Sequence, residues 1–158
     1  MDCEAFSLEE LQYVIKSIQP SKAPGLDNIP PAVWKDPLLH EELLHFCNDA
    51  LLHGNVPDEW TTAAIVPFPK KSDLSNPANY RGISLSPAAV KIYNKLLLNR
   101  ISPHLEQLLR RNQNGFRKGR STLPQILAIR RILEECRIGS KTAAMVFVDF
   151  SKAFDSIN

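Results

Sequence analysis

The sequence predicts a helix-rich α+β fold. Five stretches repeat apolar residues at helical spacing, whereas two short runs, 61–68 and 143–148, are rich in the β-branched and apolar residues typical of strands. The chain has 158 residues, of which 44% are hydrophobic and 23% are charged. That length and composition suit one domain with a buried core. No apolar stretch approaches the ~20 residues that a transmembrane helix needs.

The first predicted helix spans residues 8–18. Ser7 and Glu10 stand at the N-cap and N3 positions of a capping box, in which each side chain binds the other residue's backbone N–H. The apolar residues of this helix share one face: Leu8, Leu11, Val14, Ile15 and Ile18. Pro20 ends the helix, and residues 21–31 form a loop rich in Pro, Gly, Asp and Asn.

The second predicted helix covers about residues 38–53, and Gly54 is its C-terminal cap. Its inward-facing residues are Leu39, Leu43, Phe46, Cys47, Ala50 and Leu51. The strand predicted over 61–68 contains Pro67 and is followed directly by Pro69, and neither proline has an N–H to donate. We therefore expect this strand to lie at the edge of a sheet or to end early.

A serine–proline pair marks the start of each of the next two predicted helices, because serine suits the N-cap and proline the first helical position. The first helix begins at Ser86–Pro87, and a shorter one begins at Ser102–Pro103 and ends near Arg111. The apolar face of the first contains Val90, Tyr93, Leu97 and Ile101.

The last part of the chain combines a basic loop, a helix and a strand. Residues 112–122 form the loop, which is punctuated by glycines, and a helix follows over about 123–138 and stops at Gly139. The continuous apolar run 143–148 suits a strand that is covered on both faces. Asp149 follows that run directly.

The net charge of +2 conceals a strong asymmetry between the two halves of the chain. Residues 1–79 contain 5 basic and 12 acidic side chains, a net charge of −7. Residues 80–158 contain 14 basic and 5 acidic side chains, a net charge of +9. The second half is therefore expected to bind an anionic partner, and nucleic acid is the partner that such a basic segment typically binds.

The cysteines and histidines predict neither a disulfide framework nor a metal site. Cys3, Cys47 and Cys136 stand far apart, as reduced thiols of an intracellular protein would. His40 and His45 are five residues apart on a predicted helix, a spacing that does not stack them on one face. We interpret both as surface histidines. The acidic N-terminus is unlike a secretory or mitochondrial signal, so we expect a cytoplasmic or nuclear protein.

Asp149 is the first candidate for catalysis, because ligand-binding groups often lie at the carboxyl ends of core strands. Asp155 follows six residues later and could join it at a Mg²⁺ ion, which one or two carboxylates and substrate phosphates usually hold. The alternative is that Asp149 caps the next turn through Ser151.

Two basic segments are candidate anion sites. Lys70, Lys71 and Arg81 flank a turn and could bring three cations over one pocket that binds nucleotide phosphates. The loop 115–121 offers close backbone approach, three cations and the ring of Phe116 to a nucleic acid. For each segment, the alternative is a solvated loop. A solvated helix face is likewise the alternative reading of two further cations, Arg130 and Arg131.

Five segments in order resemble the reverse transcriptases of non-LTR (LINE-type) retrotransposons. They are Ser21–Pro30, Ile65–Lys71, Asn79–Leu85, Asn114–Thr122 and Phe147–Asp155, and together the resemblance covers about residues 8–158. It implies the fingers and the first palm strand of a right-hand polymerase. Residues 1–141 would be fingers-like, and residues 142–158 would supply the first strand and the start of a helix of the palm.

The resemblance also implies roles for individual residues. Asp149 matches a catalytic, metal-binding aspartate, and Phe150 a residue whose backbone carbonyl reaches the metal. Phe154 matches an aromatic gate beside the sugar 2′ position. Arg81, with Lys70 or Lys71, would bind the incoming triphosphate. The loop along the template–primer would consist of Gly115, Phe116, Arg117, Lys118, Gly119, Arg120 and Ser121.

In the intact family, two Mg²⁺ ions support nucleotidyl transfer from deoxynucleoside triphosphates to a DNA primer on an RNA template. A second catalytic segment, an aromatic residue followed by Ala-Asp-Asp, is expected well downstream of Asp149, and this sequence ends at Asn158. We therefore expect a fragment that ends before the palm sheet is complete, is inactive alone and has no membrane partner. The alternatives are a non-catalytic RNA- or DNA-binding module and an unproductive gene fragment.

Overall fold

The computed structural model describes residues 4–70, 72–150 and 153. It contains two compact units, Met1–Gln107 and Leu108–Asn158. The helix-rich α+β prediction is confirmed: five helices accompany one two-stranded antiparallel sheet in the described part of the chain. The predicted boundary between fingers-like and palm regions, at 141/142, is a family assignment that stays a prediction.

The first unit begins with helix α1, Leu8–Ser17, which has the predicted capping box. The Glu10 N–H donates to the Ser7 hydroxyl (3.2 Å), and the Ser7 N–H donates to the Glu10 carboxylate (2.8 Å). Leu11, Val14 and Ile15 are the buried residues of this helix. The expected apolar stripe is therefore the face that enters the core.

Two short 3₁₀ turns, Val33–Lys35 and Pro37–Leu39, lead into helix α2, His40–His53. Gly54 ends α2 with a φ of 73°, a left-handed conformation that suits glycine. Phe46, predicted to face inward, is 43% exposed. A single turn of helix, α3, follows at Asp58–Thr61.

Strands β1, Ala64–Pro69, and β2, Tyr80–Leu85, form an antiparallel hairpin. The Lys70 N–H donates to the Asn79 carbonyl (2.6 Å), so residues in phase with Lys70 direct their N–H groups towards β2. Pro67 and Pro69 are out of phase with Lys70 and face the open edge. The predicted edge strand is thus confirmed, because both prolines occupy positions that need no donor.

Helix α4, Ala88–Leu108, continues where the sequence predicted two helices. The Ser102 hydroxyl donates to the Leu98 carbonyl, so this serine bonds within the helix rather than capping a new one. Pro103 has no N–H to donate to the Asn99 carbonyl one turn earlier, and Asn99 is only partly buried. The buried face also differs from the predicted one: it consists of Ala88, Ala89, Ile92 and Leu96.

The core of the first unit forms where α1, α2 and α4 meet. Its buried residues are Phe6, Leu11, Val14, Ile15, Leu43, Cys47, Ala89, Ile92 and Leu96. The Phe6 backbone binds the Asn48 side chain twice, at 2.6 and 3.1 Å, which attaches the segment before α1 to α2. Three helices from separate parts of the chain therefore support the hairpin's unit.

The second unit contains helix α5, Leu123–Ile138, with Gly139 as its C-cap, as predicted. The strand predicted over 143–148 is not formed: residues 141–150 have no regular structure, and Val146, Phe147 and Val148 are at least 80% exposed. A strand needs a neighbour to bind its N–H and carbonyl groups, and the described residues offer this run none. Within the described residues, no helix is both long and apolar enough to cross a membrane.

Candidate functional site

The hairpin places Lys70 and Arg81 on one face of the sheet. Phe68 pairs directly with Arg81, and Lys70 continues the same face two residues beyond Phe68. Cross-strand diagonal neighbours of this kind have Cα atoms about 7–8 Å apart, which long side chains can span. Both side chains are exposed, and neither forms an ion pair within the described residues. Two cations can therefore converge on one anionic group.

The loop between the strands is held by its own side chains. The Asp73 carboxylate accepts from the Ser75 N–H (3.1 Å) and hydroxyl (2.6 Å), and these bonds hold its pKa below the usual range. The Asn79 amide and the Tyr80 hydroxyl donate to the Asp73 and Leu74 carbonyls, at 2.9 and 3.0 Å. These hydrogen bonds connect residues 73–75 with the start of β2. Lys71, the other predicted triphosphate ligand, lies outside the described residues.

Gly25 makes a close backbone contact that sequence reasoning did not identify. A Cβ at this position would lie 2.5 Å from the Pro87 nitrogen and 2.7 Å from the Ser86 carbonyl carbon. Only glycine allows the 21–31 loop to rest directly on the junction between β2 and α4. The Pro24–Gly25 pair signalled a turn in the sequence, but nothing in it indicated which backbone the turn would touch.

The basic loop presents Phe116 outward. Its ring is fully exposed (100%), and its backbone has a φ of 60°, in the left-handed region that bulky residues rarely adopt. Gly119 also has a left-handed φ, 72°. Lys118 and Arg120 are exposed on the same loop. An exposed aromatic ring on the same loop as exposed cations can bind an unpaired base and its phosphates.

Arg117 has a structural contact that its basic character did not predict. Its guanidinium donates to the carbonyls of Arg110 and Gln113, both at 2.9 Å, and so ties the loop to the preceding turn. The Gln125 amide donates to the Asn112 carbonyl (2.7 Å), while Asn114 is buried within the loop. The side chain of Arg117 therefore helps to build the loop that displays Phe116.

Arg130 and Arg131 lie on α5 and pair with acids one helical turn away. The Arg130–Glu134 and Arg131–Glu135 distances are 3.2 and 2.8 Å, and all four side chains are substantially exposed. These contacts favour the solvated helix face over a nucleic-acid contact.

The described residues do not form a metal centre. Asp149 and Phe150 are exposed in a segment without regular structure, and no group of three or more His, Cys, Asp or Glu side chains comes together in the described ranges. One carboxylate is a weak Mg²⁺ site on its own. Phe154, Asp155 and the capping partner Ser151 lie outside the described residues.

Comparisons with known proteins identify the relationship. A family model described as reverse transcriptase (RNA-dependent DNA polymerase) matches residues 68–158. The chain is 32% identical over 151 residues to the retrovirus-related Pol polyprotein from type-1 retrotransposable element R2 of Popillia japonica, covering 95% of this chain and 20% of that protein. It is 30% identical to the RNA-directed DNA polymerases from mobile element jockey of Drosophila funebris and Drosophila melanogaster, covering 99% and 97% of this chain. The chain spans about a fifth of the length of these relatives.

Proposed function

Because the chain belongs to the reverse transcriptase (RNA-dependent DNA polymerase) family, we propose that it binds the incoming nucleotide and the template–primer in an RNA-directed DNA polymerase of a LINE-type retrotransposon. The observation that carries the proposal is the shared face of Lys70 and Arg81 on the β1–β2 hairpin. A deoxynucleoside triphosphate presents several negative oxygens in a row. Arginine binds such oxygens as a fork, and lysine acts as a point charge beside it.

The basic loop is proposed to bind the nucleic-acid strand. The exposed ring of Phe116 would stack on a base, and Lys118 and Arg120 would neutralise phosphates on either side of it. Gly115, Gly119 and Ser121 would allow the backbone to approach the strand. Arg117 is proposed to act mainly by holding the loop together, because its guanidinium donates hydrogen bonds to two backbone carbonyls.

Asp149 and the Phe150 carbonyl are proposed as Mg²⁺ ligands, and Phe154 as the residue beside the sugar 2′ position. Mg²⁺ supplies charge neutralisation at transferring phosphates when it is bound. The described residues provide only the one carboxylate, so no reaction step is assigned to the ion. Arg81 and Lys70 orient the triphosphate in this proposal, and the loop at 115–121 orients the strand.

Nucleotide binding tests the hairpin. In a titration of the 158-residue chain with a fluorescent deoxynucleoside triphosphate, Arg81→Gln should weaken binding about five- to ten-fold, because exposure reduces the value of a charge-assisted hydrogen bond. The affinity of Arg81→Lys should lie between those of Arg81→Gln and the parent, because lysine keeps the positive charge but cannot form the two parallel hydrogen bonds of a guanidinium. Lys91→Gln, an exposed position on α4, is the matched control. Equal affinity for all four chains would refute the nucleotide assignment.

RNA binding tests the loop and also the alternative of a non-catalytic binding module, which the outward ring of Phe116 favours. Phe116→Ala should weaken binding of a short single-stranded RNA by about five-fold or more, because stacking contributes ~1–3 kcal/mol per base. Lys118→Gln and Arg120→Gln should each reduce the slope of log affinity against log salt by about 0.7. RNA binding without nucleotide binding would support the module, and an unchanged slope in both variants would refute the loop's role.

A further inference from the structure

The apolar run 143–148 is exposed and has no partner strand within the described residues. It contains no charged residue, no proline and no glycine, and Val146, Phe147 and Val148 belong to the types that favour strands. These three residues are at least 80% exposed, and the backbone of the run forms no hydrogen bond in the described part of the chain. A segment with this composition and unpaired backbone groups is a template for pairing with another strand.

Residues of opposite charge stand on the two sides of the run. Lys141 lies two residues before it, and Asp149 follows it directly. Both side chains are exposed, and neither forms an ion pair within the described ranges. In an extended strand they would share one face but lie about 27 Å apart, because each residue rises about 3.3 Å. An ion pair between these two positions therefore requires a second strand.

Two copies of the run are complementary when they lie antiparallel with Met145 opposite Met145. In this register, Lys141 of each copy lies opposite Asp149 of the other, so the paired strands have an ion pair at both ends. The two alanines at the start of the run lie opposite larger residues near its end. A parallel in-register pair would instead place lysine beside lysine and aspartate beside aspartate. Charge and side-chain size thus favour the same antiparallel register.

The end of α5 determines which residues of the run can pair through their backbone. The Lys141 N–H already donates to the Cys136 carbonyl, at 2.8 Å. In an antiparallel pair, every second residue directs both its N–H and its carbonyl towards the other strand. Residues in phase with Lys141 therefore form the non-hydrogen-bonded pairs, and the even-numbered residues of 142–148 supply the hydrogen bonds. Opposite side chains lie closest in non-hydrogen-bonded pairs, which suits the contact between Lys141 and Asp149.

We propose that the chain forms a dimer with a second copy of itself through this antiparallel pairing, with the two-fold axis at Met145. The proposal does not depend on the proposed nucleotide and strand binding. Asp149 is also the proposed Mg²⁺ ligand, and a carboxylate that holds the ion is not available to Lys141, so the dimer is measured without divalent cations. A two-stranded pair is only marginally stable in water, so we expect association at roughly 10–500 µM.

Charge reversal tests the two ion pairs in sedimentation equilibrium of the 158-residue chain. The apparent mass of the parent should rise from 17.8 kDa towards twice that value as its concentration increases. Lys141→Glu and Asp149→Lys should each weaken the dimer about ten-fold or more, because like charges then lie opposite one another at both ends. The double variant restores opposite charges and should recover the parent's affinity. A monomeric parent, or a double variant as weak as the single variants, would overturn the proposal.

Disulfide cross-linking tests the register. In a Cys3→Ser, Cys136→Ser background, Met145→Cys places two thiols directly opposite one another, with Cα atoms about 4.5 Å apart, which a disulfide can span. Val146→Cys is the matched control, because its two copies would be diagonal neighbours about 7–8 Å apart, beyond the reach of a disulfide. On mild oxidation, Met145→Cys should form the cross-linked dimer about ten-fold faster than Val146→Cys. Equal rates would rule out this register.

A second pair of variants distinguishes the run from the helix before it. Val146 and Ile138, the last residue of α5, are similarly exposed, at 86% and 82%. Val146→Lys should abolish the dimer, and Ile138→Lys should leave it intact. Circular dichroism should show the parent's helix content in both, because neither side chain is buried. Loss of the dimer in Ile138→Lys alone would make α5 the interface and contradict the pairing of 143–148.

Discussion

Arg100 connects α4 to the segment that begins the chain's first helix. Its guanidinium binds the Glu10 carboxylate as a fork, with Nε–Oε1 and Nη2–Oε2 distances of 2.8 and 2.7 Å. It also donates to the carbonyls of Glu4 and Ala5, and it lies 4.4 Å from the centre of the Phe6 ring. Arg100→Ala removes all of these contacts, so we expect the first unit to lose stability.

The exposure of the Arg100 and Glu10 side chains determines how much stability Arg100→Ala should lose. The side chains of Arg100 and Glu10 are 32% and 37% exposed, so the ion pair contributes only about 0.5–1 kcal/mol after solvent screening. The cation–π contact with Phe6 adds about 0.5–1 kcal/mol. The two exposed carbonyls regain water and add little. A total of about 1–2 kcal/mol corresponds to a Tm roughly 5–15 °C lower for a unit of this size.

Urea unfolding followed by circular dichroism measures this difference, with Lys95→Ala as the matched control on α4. The Arg100 hydrogen bond holds the Glu10 pKa below its usual range. The ion pair's contribution is therefore present above the unfolded glutamate pKa of about 4.3 and is lost as the pH falls through the lower folded pKa. The difference in free energy of unfolding between the parent and Arg100→Ala should become smaller on acidification, until only the contribution of the cation–π contact is left. A variant within about 0.5 kcal/mol of the parent at pH 7 would refute the reasoning.

Two further experiments test the structure, one on glycines and one on thiols. Gly25→Ala should lower the free energy of unfolding by about 1–3 kcal/mol, because the added Cβ would clash with the Pro87 backbone. Gly115→Ala is the control: the nearest atom to its added Cβ is 3.7 Å away, so the free energy of unfolding should change by less than about 0.5 kcal/mol. In a Cys3→Ser background at pH 8, a thiol reagent should label Cys136 rapidly. Cys47 should be labelled only on unfolding, because burial raises its pKa to about 12. Equal labelling rates of the two thiols in the native chain would contradict its burial.

Local signals predicted much of the fold because they act over a few residues. The capping box at Ser7 and Glu10 forms as the sequence indicated, and Gly54 and Gly139 end their helices. The edge position of β1 follows from its two prolines. Each of these features depends on backbone donors and acceptors within one turn or one strand, so a short window of sequence contains the necessary information.

Features that depend on distant partners could not be predicted in this way. The apolar run 143–148 has the composition of a buried strand, yet a strand forms only when another supplies its hydrogen bonds, and no described segment does so. The sequence predicts a surface position for His40, whereas the structure buries it, and that burial depends on how α1 packs against α2. The family resemblance gave the positions of the site residues in the sequence. The strand register was needed to show that Lys70 and Arg81 lie on the same face of the hairpin.

The charge asymmetry of the chain overstates the number of cations available to nucleic acid. Arg100 binds Glu10, Arg117 binds two carbonyls, and Arg130 and Arg131 pair with glutamates on their own helix. A cation already held by a carboxylate releases few counterions when RNA arrives, because its charge is already balanced. The salt slope of RNA binding should therefore be unchanged in an Arg130→Gln, Arg131→Gln double variant, while Lys118→Gln alone reduces it by about 0.7. An equal or larger reduction in the double variant would show that α5, rather than the loop at 115–121, provides the strand's main electrostatic contact.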